Sequence, residues 1–530
     1  MRRFEGYTAG MNPFNPARGT VRVSLGLATL ITLLSSGCVE SYQAPQTLRP
    51  RTERLVIQHT AGGTHYRMLL DGQAWYQLFG AELLVMSPVN GRIIDRQVLS
   101  KVGGNPPATD MVLHDGSLWV VLRDVGVVRL SLEDQYRPWI EETITSGELG
   151  IKPRHVHVVG EDVLVSGVGG VVNPVTGQQL VDSDGEVRSV IDMPDGPVYC
   201  EGRRIYRVHH SNKNDREYLG SASELHELPG TTPWGDEAII FIRHETSGSL
   251  VGIMDSDLRE RDSERSTVAI PGHVQQVRYE AGRLIIVSDA SVRLYTHRNG
   301  ALVMNREIPL LGTRDASMVG ESRLAISGEY GRGTVRLESD IEGDAGSIDL
   351  YFPEPAGLRR AISDGRNILA TSDHGAWLYR IGVGASPANA DGREFAPPSR
   401  KGVTLGWQAE ILEDEARVEV KTPIGRDILH APEGGRFHSV AASDGVIWLG
   451  HDTGIIMIRL PNEPIELPPD WKEMTEEERA ETGLGPLEGM TKLSIRLDGP
   501  VVYLDPLLLG GGVAYVSEKG GFGLVAEELQ

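Results

Sequence analysis

Two short groups of side chains have the residue types and spacing of metal ligands. Asp182, Asp184 and Glu186 occupy alternate positions around a glycine in the segment DSDGE, and so place carboxylate oxygens as a calcium loop does. The rest of such a loop and its closing glutamate are missing, so solvated turn residues are the alternative. The cluster ESDIEGDAGSID (338–349) leaves the same two alternatives open. The sequence predicts no cofactor apart from calcium at Asp182, Asp184 and Glu186.

His155 and His157 form a second pair of candidate ligands. Residues two apart in a β-strand lie on the same face, so both imidazoles would face one side. A protein metal site needs at least one further ligand, which the sequence does not identify. Histidines on the solvent face of a strand are therefore the alternative interpretation.

No motif of a catalytic centre is present. The sequence contains no H-E-x-x-H, P-loop, C-x-x-C or G-x-S-x-G pattern. Gly167, Gly169 and Gly170 lie in a predicted hairpin turn that no helix follows, which disfavours a dinucleotide site. Cys200 lies within an apolar strand and has no neighbouring cysteine, which favours a buried thiol. We therefore assign no catalytic residue, and a protein without enzymatic activity is the favoured interpretation.

The first forty residues have the plan of an export signal. Arg18 and Arg22 precede the apolar run VSLGLATLITLL (23–34), and only small residues separate this run from Cys38. A basic segment, an apolar run and small residues in this order are typical of cleaved signal peptides. The run is shorter than the ~20 apolar residues that a membrane-spanning helix needs.

The segment LLSSGCVE (33–40) resembles the lipobox of bacterial lipoproteins. The resemblance implies that residues 1–37 are removed and that Cys38 carries a thioether-linked diacylglycerol. Ser35 departs from the family pattern, which prefers leucine there, so an ordinary secretory signal and an uncleaved anchor are the alternatives. Val39 stands where lipoproteins of the inner membrane often carry aspartate, so the resemblance favours the outer membrane. We predict a lipid-anchored protein of the cell envelope that faces the periplasm or the exterior.

Residues 38–53 and the overall charge set limits on the partners. The segment 38–53 is polar and contains two prolines, which predicts a flexible tether between the lipid and the folded body. The net charge of the chain is -21, and its acidic residues are spread along the sequence. Such a surface repels the phosphates of nucleic acids, so a nucleic-acid partner is excluded.

One β pattern recurs from about residue 54 to the end of the chain. Each copy has a tight turn, an apolar strand, a turn with glycine and a second apolar strand. The clearest copies are HDGSLWVVLRDVGVVRL (114–130), SDGRNILATSDHGAWLYRI (363–381) and SDGVIWLGHDTGIIMIRL (443–460). Asp-Gly pairs are typical of two-residue hairpin turns, so the pattern predicts an all-β fold.

The copies at 114–130 and 443–460 resemble the propeller repeats of two-component regulators. The segment GGVAYVSEKGGFGLVAEEL (511–529) resembles the repeats of extracellular propellers. Both resemblances imply a β-propeller, as does the spacing of about 40 residues between successive copies. They imply little about activity, because such repeats occur in sensors, scaffolds and enzymes.

We predict one propeller domain over residues 54–530, formed as a single toroid of seven or eight blades. More blades or two joined propellers are the alternatives, because about ten or eleven copies exceed the usual ~4–8 blades. The segment 402–422 is predicted to supply a degenerate copy. The strands 54–59 and 522–529 are predicted to pair, because a ring closes when the first and last strands share a blade.

One segment, 468–492, interrupts the β pattern. Thr475 and Glu478 within it have the spacing of a capping box, in which each residue bonds to the backbone of the other. We predict a short helix there, on a surface insertion.

The preferred functional hypothesis is a protein-binding or scaffold module, anchored to the membrane by its lipid. A propeller presents a large rigid face with variable loops, which suits the binding of an envelope or extracellular protein. The alternative is an extracytoplasmic enzyme, such as a lyase, a glycosidase or a quinoprotein-like oxidoreductase, with its site in the central channel. Acids and histidines from separate blades can meet there without forming a linear motif.

Overall fold

The computed structural model of the chain confirms an all-β protein. Its described residues form forty-two strands and short helical segments that include α1 (Ser146–Leu149) and a 3₁₀ helix (Pro432–Gly434). No helix among the described residues is long and apolar enough to cross a membrane. The structure describes residues 55–527 apart from 62–63, 73, 90, 100–105, 209–215, 229–232, 235–237, 256, 260–265, 299–300, 330, 338–346, 354–357, 359, 364–366, 373–374, 381–383, 389–397, 423–424, 461–472, 476–477, 479–489, 498, 507–511 and 520.

Asp-Gly pairs form hairpin turns, as the sequence predicted. Asp115 and Gly116 have φ angles of 47° and 69°, and Asp444 and Gly445 have φ angles of 46° and 77°. Positive φ at both central residues is typical of a type I′ turn, whose twist matches that of the paired strands. The strand after each turn is buried along its whole length, because both of its faces are covered.

The strands form ten antiparallel sheets, numbered here in chain order, of which nine have four strands and one has six. Sheet 1 contains β2 (His65–Asp71), β3 (Ala74–Phe79), β4 (Glu82–Met86) and β5 (Ile93–Val98), and sheet 2 contains β6 (Ala108–His114), β7 (Ser117–Leu122), β8 (Gly126–Ser131) and β9 (Trp139–Thr145). Sheet 3 contains β10 (Lys152–Val159), β11 (Asp162–Val172), β12 (Gln179–Ile191), β13 (Val198–Glu201), β14 (Arg204–Val208) and β15 (Arg216–Gly220), and sheet 4 contains β16 (Glu224–Glu227), β17 (Ile239–Glu245), β18 (Gly248–Met254) and β19 (Thr267–Pro271). Sheet 5 contains β20 (Val274–Glu280), β21 (Arg283–Ser288), β22 (Ser291–Arg298) and β23 (Ala301–Pro309), and sheet 6 contains β24 (Thr313–Val319), β25 (Arg323–Gly328), β26 (Gly331–Arg336) and β27 (Ser347–Pro353).

Sheets 7 to 10 follow the same four-stranded plan. Sheet 7 contains β28 (Arg360–Ser363), β29 (Asn367–Ser372), β30 (Gly375–Arg380) and β31 (Gly384–Ala388), and sheet 8 contains β32 (Lys401–Thr404), β33 (Trp407–Ile411), β34 (Arg417–Thr422) and β35 (Gly425–His430). Sheet 9 contains β36 (Phe437–Ser443), β37 (Val446–His451), β38 (Gly454–Arg459) and β39 (Thr491–Arg496), and sheet 10 contains β1 (Leu55–Ala61), β40 (Val501–Pro506), β41 (Gly512–Ser517) and β42 (Phe522–Glu527). Sheet 8 is the degenerate copy that was predicted over 402–422.

Sheet 10 joins the first and last strands of the described chain. β1 pairs antiparallel with β42, from Leu55 opposite Glu527 to Ala61 opposite Phe522. The predicted pairing of 54–59 with 522–529 is therefore confirmed.

Sheets 1 to 6, called here the circular group, contact one another in chain order. β2 contacts β6, β6 contacts β10, β12 contacts β16, and β20 contacts β24. Sheets 4 and 5 share a buried apolar cluster that includes Ile240 and Leu284. The contacts then return to the start, because β24 contacts β2. Trp75 and Phe79 of sheet 1 share a second buried cluster with Ala325 of sheet 6.

Sheets 7 to 10, called here the second group, pack in a different order. β32 contacts β36, β36 contacts β40, and β40 contacts β28, which gives the order sheet 8, sheet 9, sheet 10, sheet 7. One face of sheet 8 carries buried residues such as Trp407 and Val420. Its other face carries Val403 and Ile428, whose exposed fractions are 58% and 42%. Sheet 8 is thus an end of the second group with one solvated face.

By their contacts the described sheets fall into two groups, because sheet 6 packs back on sheet 1 before sheets 7 to 10 begin. One toroid of seven or eight blades stays a prediction, as do its alternatives of more blades or two joined propellers.

Close strand packing explains two glycines that the repeat pattern contains. Gly126 begins β8, and Gly454 begins β38. A Cβ atom at either position would collide with a backbone oxygen of the next strand, that of Ile144 or Ile495. These positions therefore need glycine for the approach of a neighbouring strand as well as for a turn.

The predicted capping box is present. The backbone N–H of Thr475 donates to Glu478 Oε2 at 2.7 Å, and the backbone N–H of Glu478 donates to Thr475 Oγ1 at 3.3 Å. Most of the insertion 468–492 lies outside the described residues, so its helix stays a prediction.

Candidate functional site

A cavity of about 470 Å³ lies where inner strands of the circular group meet. Its walls come from β2, β6, β10, β12, β16 and β20, together with the β7–β8 turn. Five arginines line it: Arg67, Arg123, Arg154, Arg188 and Arg278. The acidic and histidine side chains of the lining are Asp110, Glu186, Glu224, His155, His157 and His226.

Asp110 connects three neighbouring sheets at the cavity wall. Its Oδ1 accepts hydrogen bonds from Arg67 Nε at 2.8 Å and from the Met111 N–H at 3.0 Å, and its Oδ2 accepts one from the Val156 N–H at 3.1 Å. Burial alone would raise the pKa of Asp110, but Arg67 and His155 leave that pKa below its ordinary value. The carboxylate is therefore ionised and fully engaged.

Asp315 repeats this arrangement where sheet 6 meets sheet 1. Its carboxylate accepts hydrogen bonds from the Met68 N–H at 2.7 Å, from the Ala316 N–H at 2.8 Å and from Arg278 Nη2 at 2.8 Å. Asp110 and Asp315 each follow a register shift in the first strand of their sheet. A β-bulge re-aims side chains, and here it directs a carboxylate at the backbone of the next sheet.

Glu186 is held by basic side chains at the cavity wall. Arg154 Nη1 lies 3.1 Å from Glu186 Oε1, and Arg154 Nε lies 3.1 Å from Asp124 Oδ1. The interaction with His155, followed by that with Arg154, lowers the pKa of Glu186 to about 2 although burial opposes this shift. Arg496 of the second group lies 3.8 Å from Asp124, which pairs with Arg154 of the cavity lining. The second group therefore contacts a residue that orients a side chain of the cavity wall.

Two histidines lie side by side on β10. His155 Nδ1 is 3.8 Å from Asp110 Oδ2, and His155 Nε2 is 3.8 Å from Glu186 Oε1. His157 Nε2 lies 2.8 Å from Ser166 Oγ. Burial, and then the neighbouring His155, lowers the pKa of His157 to about 3, so His157 is neutral at neutral pH.

Glu224 lies between two imidazoles. His226 Nε2 is 3.5 Å from Glu224 Oε2, and His244 Nε2 is 3.5 Å from Glu224 Oε1. The ring of His244 also packs on that of His273, with 3.9 Å between their centroids. Burial would raise the pKa of Glu224, but His226 and His244 hold it well below the ordinary value.

The structure brings together only part of the residues that the sequence singled out. His155, His157 and Glu186 line the cavity, whereas Asp182 and Asp184 are exposed on β12 rather than on a glycine turn. Among the described residues no group of three or more His, Cys, Asp or Glu side chains is arranged to hold a metal. Calcium at Asp182, Asp184 and Glu186 therefore stays a prediction.

Of the two cysteines, only Cys200 lies among the described residues. Cys200 is a free thiol with no exposed surface, and burial raises its pKa to about 12, which agrees with the buried thiol that was predicted. Cys38 lies outside the described residues, as does the stretch 338–346 of the second acidic cluster.

Sequence reasoning missed Arg67, Asp110 and Glu224. Each lies in the first strand of a sheet, and these strands mix polar and apolar residues without clear alternation. The available signal was the aspartate near the start of two such strands, in ATDMVLH and TRDASMV.

Comparisons with known proteins assign no family to the chain. No protein-family model and no curated protein matches it. Similar solved structures include a chain of the mitotic checkpoint complex, with 10% identity over 57% of this chain and 96% of that chain and a TM-score of 0.37. The computationally designed Ika8 protein has 11% identity over 61% of this chain and 98% of that chain, with a TM-score of 0.36. Hsv2 of Kluyveromyces lactis has 13% identity over 53% of this chain and 98% of that chain, with a TM-score of 0.33.

Proposed function

We propose that the protein is a lipid-anchored β-propeller protein of the bacterial cell envelope that binds an envelope or extracellular protein. The sequence supports the anchor through the export signal and Cys38. The repeated four-stranded sheets support a rigid binding body whose loops are free to vary.

The circular group is best interpreted as a seven-bladed propeller. Sheet 3 counts as two blades, because β12 has 13 residues and pairs with β11 through its first part and with β13 through its second. The five four-stranded sheets of the circular group and these two parts make seven blades. The contact between β24 and β2 supports the closure of the ring.

One observation favours binding over catalysis, namely the pairing of the carboxylates in the cavity. A general acid needs a pKa near the working pH. The pKa values of Asp110, Glu186 and Glu224 all lie below their ordinary values, and each carboxylate lies beside an arginine or a histidine. Ionised groups fixed in this way can recognise a ligand, but they do not donate a proton near neutral pH.

The anchor is tested by a matched pair of cysteine variants. In fractionated cells, the wild type and Cys200→Ala should sediment with membranes and incorporate labelled fatty acid. Cys38→Ala should lose the label and the membrane association, because no other cysteine lies near a signal cleavage site. A Cys38→Ala protein that still carries the lipid label would contradict the anchor.

The protein partner is tested by size-exclusion chromatography of protein cross-linked in cells and extracted in mild detergent. The expected result is a complex with one envelope protein in fixed stoichiometry. The control is an unrelated soluble domain fused to residues 1–53, which should capture nothing in fixed ratio. Elution of the protein as a free monomer would contradict a scaffold role.

One observation favours the catalytic alternative. His155 lies 3.8 Å from carboxylate oxygens of both Asp110 and Glu186, so an imidazole stands between two anions in a cavity. The test is turnover of a glycoside or a uronate polymer by the purified protein. Loss of turnover in His155→Ala, with turnover kept in the control His297→Ala outside the cavity, would establish this alternative. Binding without turnover would exclude it for those substrates.

A further inference from the structure

We propose that the cavity of the circular group binds a small organic anion whose carboxylate or phosphate group is recognised by arginine. This inference goes beyond the protein-binding role and does not depend on the lipid anchor. It rests on the sign of the charge in the cavity, on the donors left unused there and on the size of the space.

The lining of the cavity has more cationic than anionic side chains, unlike the whole chain. Five arginines and three carboxylates line it, whereas the whole chain has 52 basic and 73 acidic residues. Arg154 and Arg278 pair with Asp124 and Asp315, which lie outside the lining. The excess positive charge therefore comes from the other arginines, and a concave site with excess charge of one sign concentrates ligands of the other sign.

Two of the three carboxylates of the lining are already engaged. Asp110 accepts three hydrogen bonds from protein donors. Glu186 lies 3.1 Å from Arg154, whereas Glu224 lies 3.5 Å from the Nε2 atoms of two histidines. Asp110 and Glu186 therefore neutralise neighbouring arginines and leave little acceptor capacity for a cationic ligand.

Several arginine donors remain unused. Among the described residues Arg67 bonds only through Nε, so its two Nη groups have no protein acceptor. Arg188 makes one long contact, 3.7 Å from Glu186, and 36% of its side chain is exposed. Arg123 forms no ion pair with any described residue and lies in the exposed β7–β8 turn. A planar guanidinium with free Nη groups binds carboxylate or phosphate through two parallel hydrogen bonds.

Two arginines of the lining, Arg67 and Arg154, are held in place before a ligand arrives. Asp110 orients Arg67 from the neighbouring sheet, and Asp124 and Glu186 orient Arg154. Fixing donors in advance reduces the entropy that binding must overcome. The volume of about 470 Å³ lies within the ~300–1,000 Å³ that is typical of small-molecule sites. The ligand class is therefore an anion of the size of a sugar acid, a tricarboxylate or a phosphate ester.

Calorimetric titration of the purified full-length protein in detergent tests the proposal, at constant ionic strength and neutral pH. The probes are glucuronate, citrate and inorganic phosphate, with glucose as the neutral counterpart of glucuronate. At least one anion should bind saturably, and glucose should not. The proposal is overturned if none of the three anions saturates the protein by about 10 mM, or if glucose binds as tightly as glucuronate.

Two arginine variants show whether the bound anion occupies the cavity. Arg188→Ala should weaken binding about tenfold or more, and Arg188→Lys should recover only part of it, because lysine lacks the bidentate geometry. Arg259→Ala is the control, since Arg259 is 80% exposed and lies outside the cavity. Equal binding by the wild type and Arg188→Ala would overturn the assignment. If Arg188→Ala does not fold, Arg123→Gln in the exposed turn provides the same test.

Discussion

The circular group and the second group are built from the same four-stranded sheets but are completed in different ways. In the circular group, sheet 6 contacts sheet 1 through side chains: the Asp315 carboxylate accepts the Met68 N–H, and Arg278 bonds to both residues. In the second group, the first described strand completes the last sheet through backbone pairing of β1 with β42. The circular group is thus joined by buried apolar clusters and a few buried polar side chains, whereas the first and last described strands of sheet 10 are joined by a backbone ladder.

This difference has a consequence for the chain path. β1 belongs to sheet 10, so the whole circular group lies in the sequence between two strands of one sheet. Contacts between neighbours inside the circular group are therefore not secured by strand exchange. Apolar clusters and buried aspartates carry that role together. Removing a buried aspartate also leaves buried donors without an acceptor, so it should have the largest effect of the predictions below.

The largest effect is expected for Asp315→Ala. Removing this buried carboxylate leaves the Met68 and Ala316 N–H groups without their acceptor and takes from Arg278 its shortest ion pair. The loss costs about 3–5 kcal/mol of the free energy of unfolding. Urea denaturation measures the loss. Asp257→Ala, at a position where the side chain is 70% exposed, is the control and should change stability by less than about 0.5 kcal/mol. Similar midpoints for the two variants would mean that the Asp315 contact does not hold sheets 6 and 1 together.

A smaller effect, similar in the two groups, is expected for Gly126→Ala and Gly454→Ala. The added methyl group meets the backbone oxygen of Ile144 in one case and of Ile495 in the other. Overpacking of this kind costs about 1–3 kcal/mol. Gly72→Ala leaves the new Cβ without a contact, so it separates backbone strain at positive φ from the collision. Among the three variants, Gly72→Ala should have the highest thermal unfolding temperature. A lower unfolding temperature for Gly72→Ala than for the other two would contradict the close-packing explanation.

Acid should weaken both groups through one buried histidine each, over different pH ranges. Burial lowers the pKa of His451 to about 4 and that of His157 to about 3. A histidine in the unfolded chain has a pKa of about 6.5. Unfolding therefore takes up a proton below that pH, and the free energy of unfolding falls as the pH decreases. The fall should stop near pH 4 for His451 and continue to about pH 3 for His157.

Histidine variants separate these two contributions. His451→Gln should flatten the stability curve between about pH 6.5 and 4, and His157→Gln should flatten it over the wider range down to about pH 3. Urea midpoints measured across this range give the slopes. An unchanged slope in His157→Gln would show that this imidazole is not kept neutral by burial.

The smallest effect is expected where the two groups touch. Arg496 and Asp124 are 3.8 Å apart, and 36% of the arginine side chain is exposed. Partly exposed pairs of this kind contribute about 0–1 kcal/mol. Arg496→Ala should therefore change the urea midpoint little. A loss comparable to that of Asp315→Ala would mean that the second group supports the circular group far more strongly than this contact implies.

The sequence predicted the middle strands of each sheet well and the flanking strands poorly. Segments such as SLWVVL and VIWLGH are buried on both faces, so their apolar residues run without interruption. The first strands, such as ATDMVLH, carry polar residues that face the cavity or the next sheet, and the last strands, such as WIEETIT, are mostly exposed. Neither kind has the apolar alternation that marks a half-buried strand.

The candidate site shows the same limit. His155 and His157 were identified because two residues on one strand share a face, which is local information. Arg67 and Asp110 are 43 residues apart, and their ion pair exists only because β2 packs beside β6. Pairings of this kind depend on the order of the sheets around the circular group, which local patterns do not encode.

Hydrogen exchange measured by mass spectrometry tests most directly whether sheet 6 completes the circular group by holding sheet 1. The informative peptides cover 65–71, which contains Met68, and 55–61, which pairs with β42. In Asp315→Ala we expect the peptide 65–71 to exchange much faster than in the wild type, while 55–61 keeps its protection. Unchanged exchange of 65–71 in this variant would contradict the closure of the circular group by the Asp315 carboxylate.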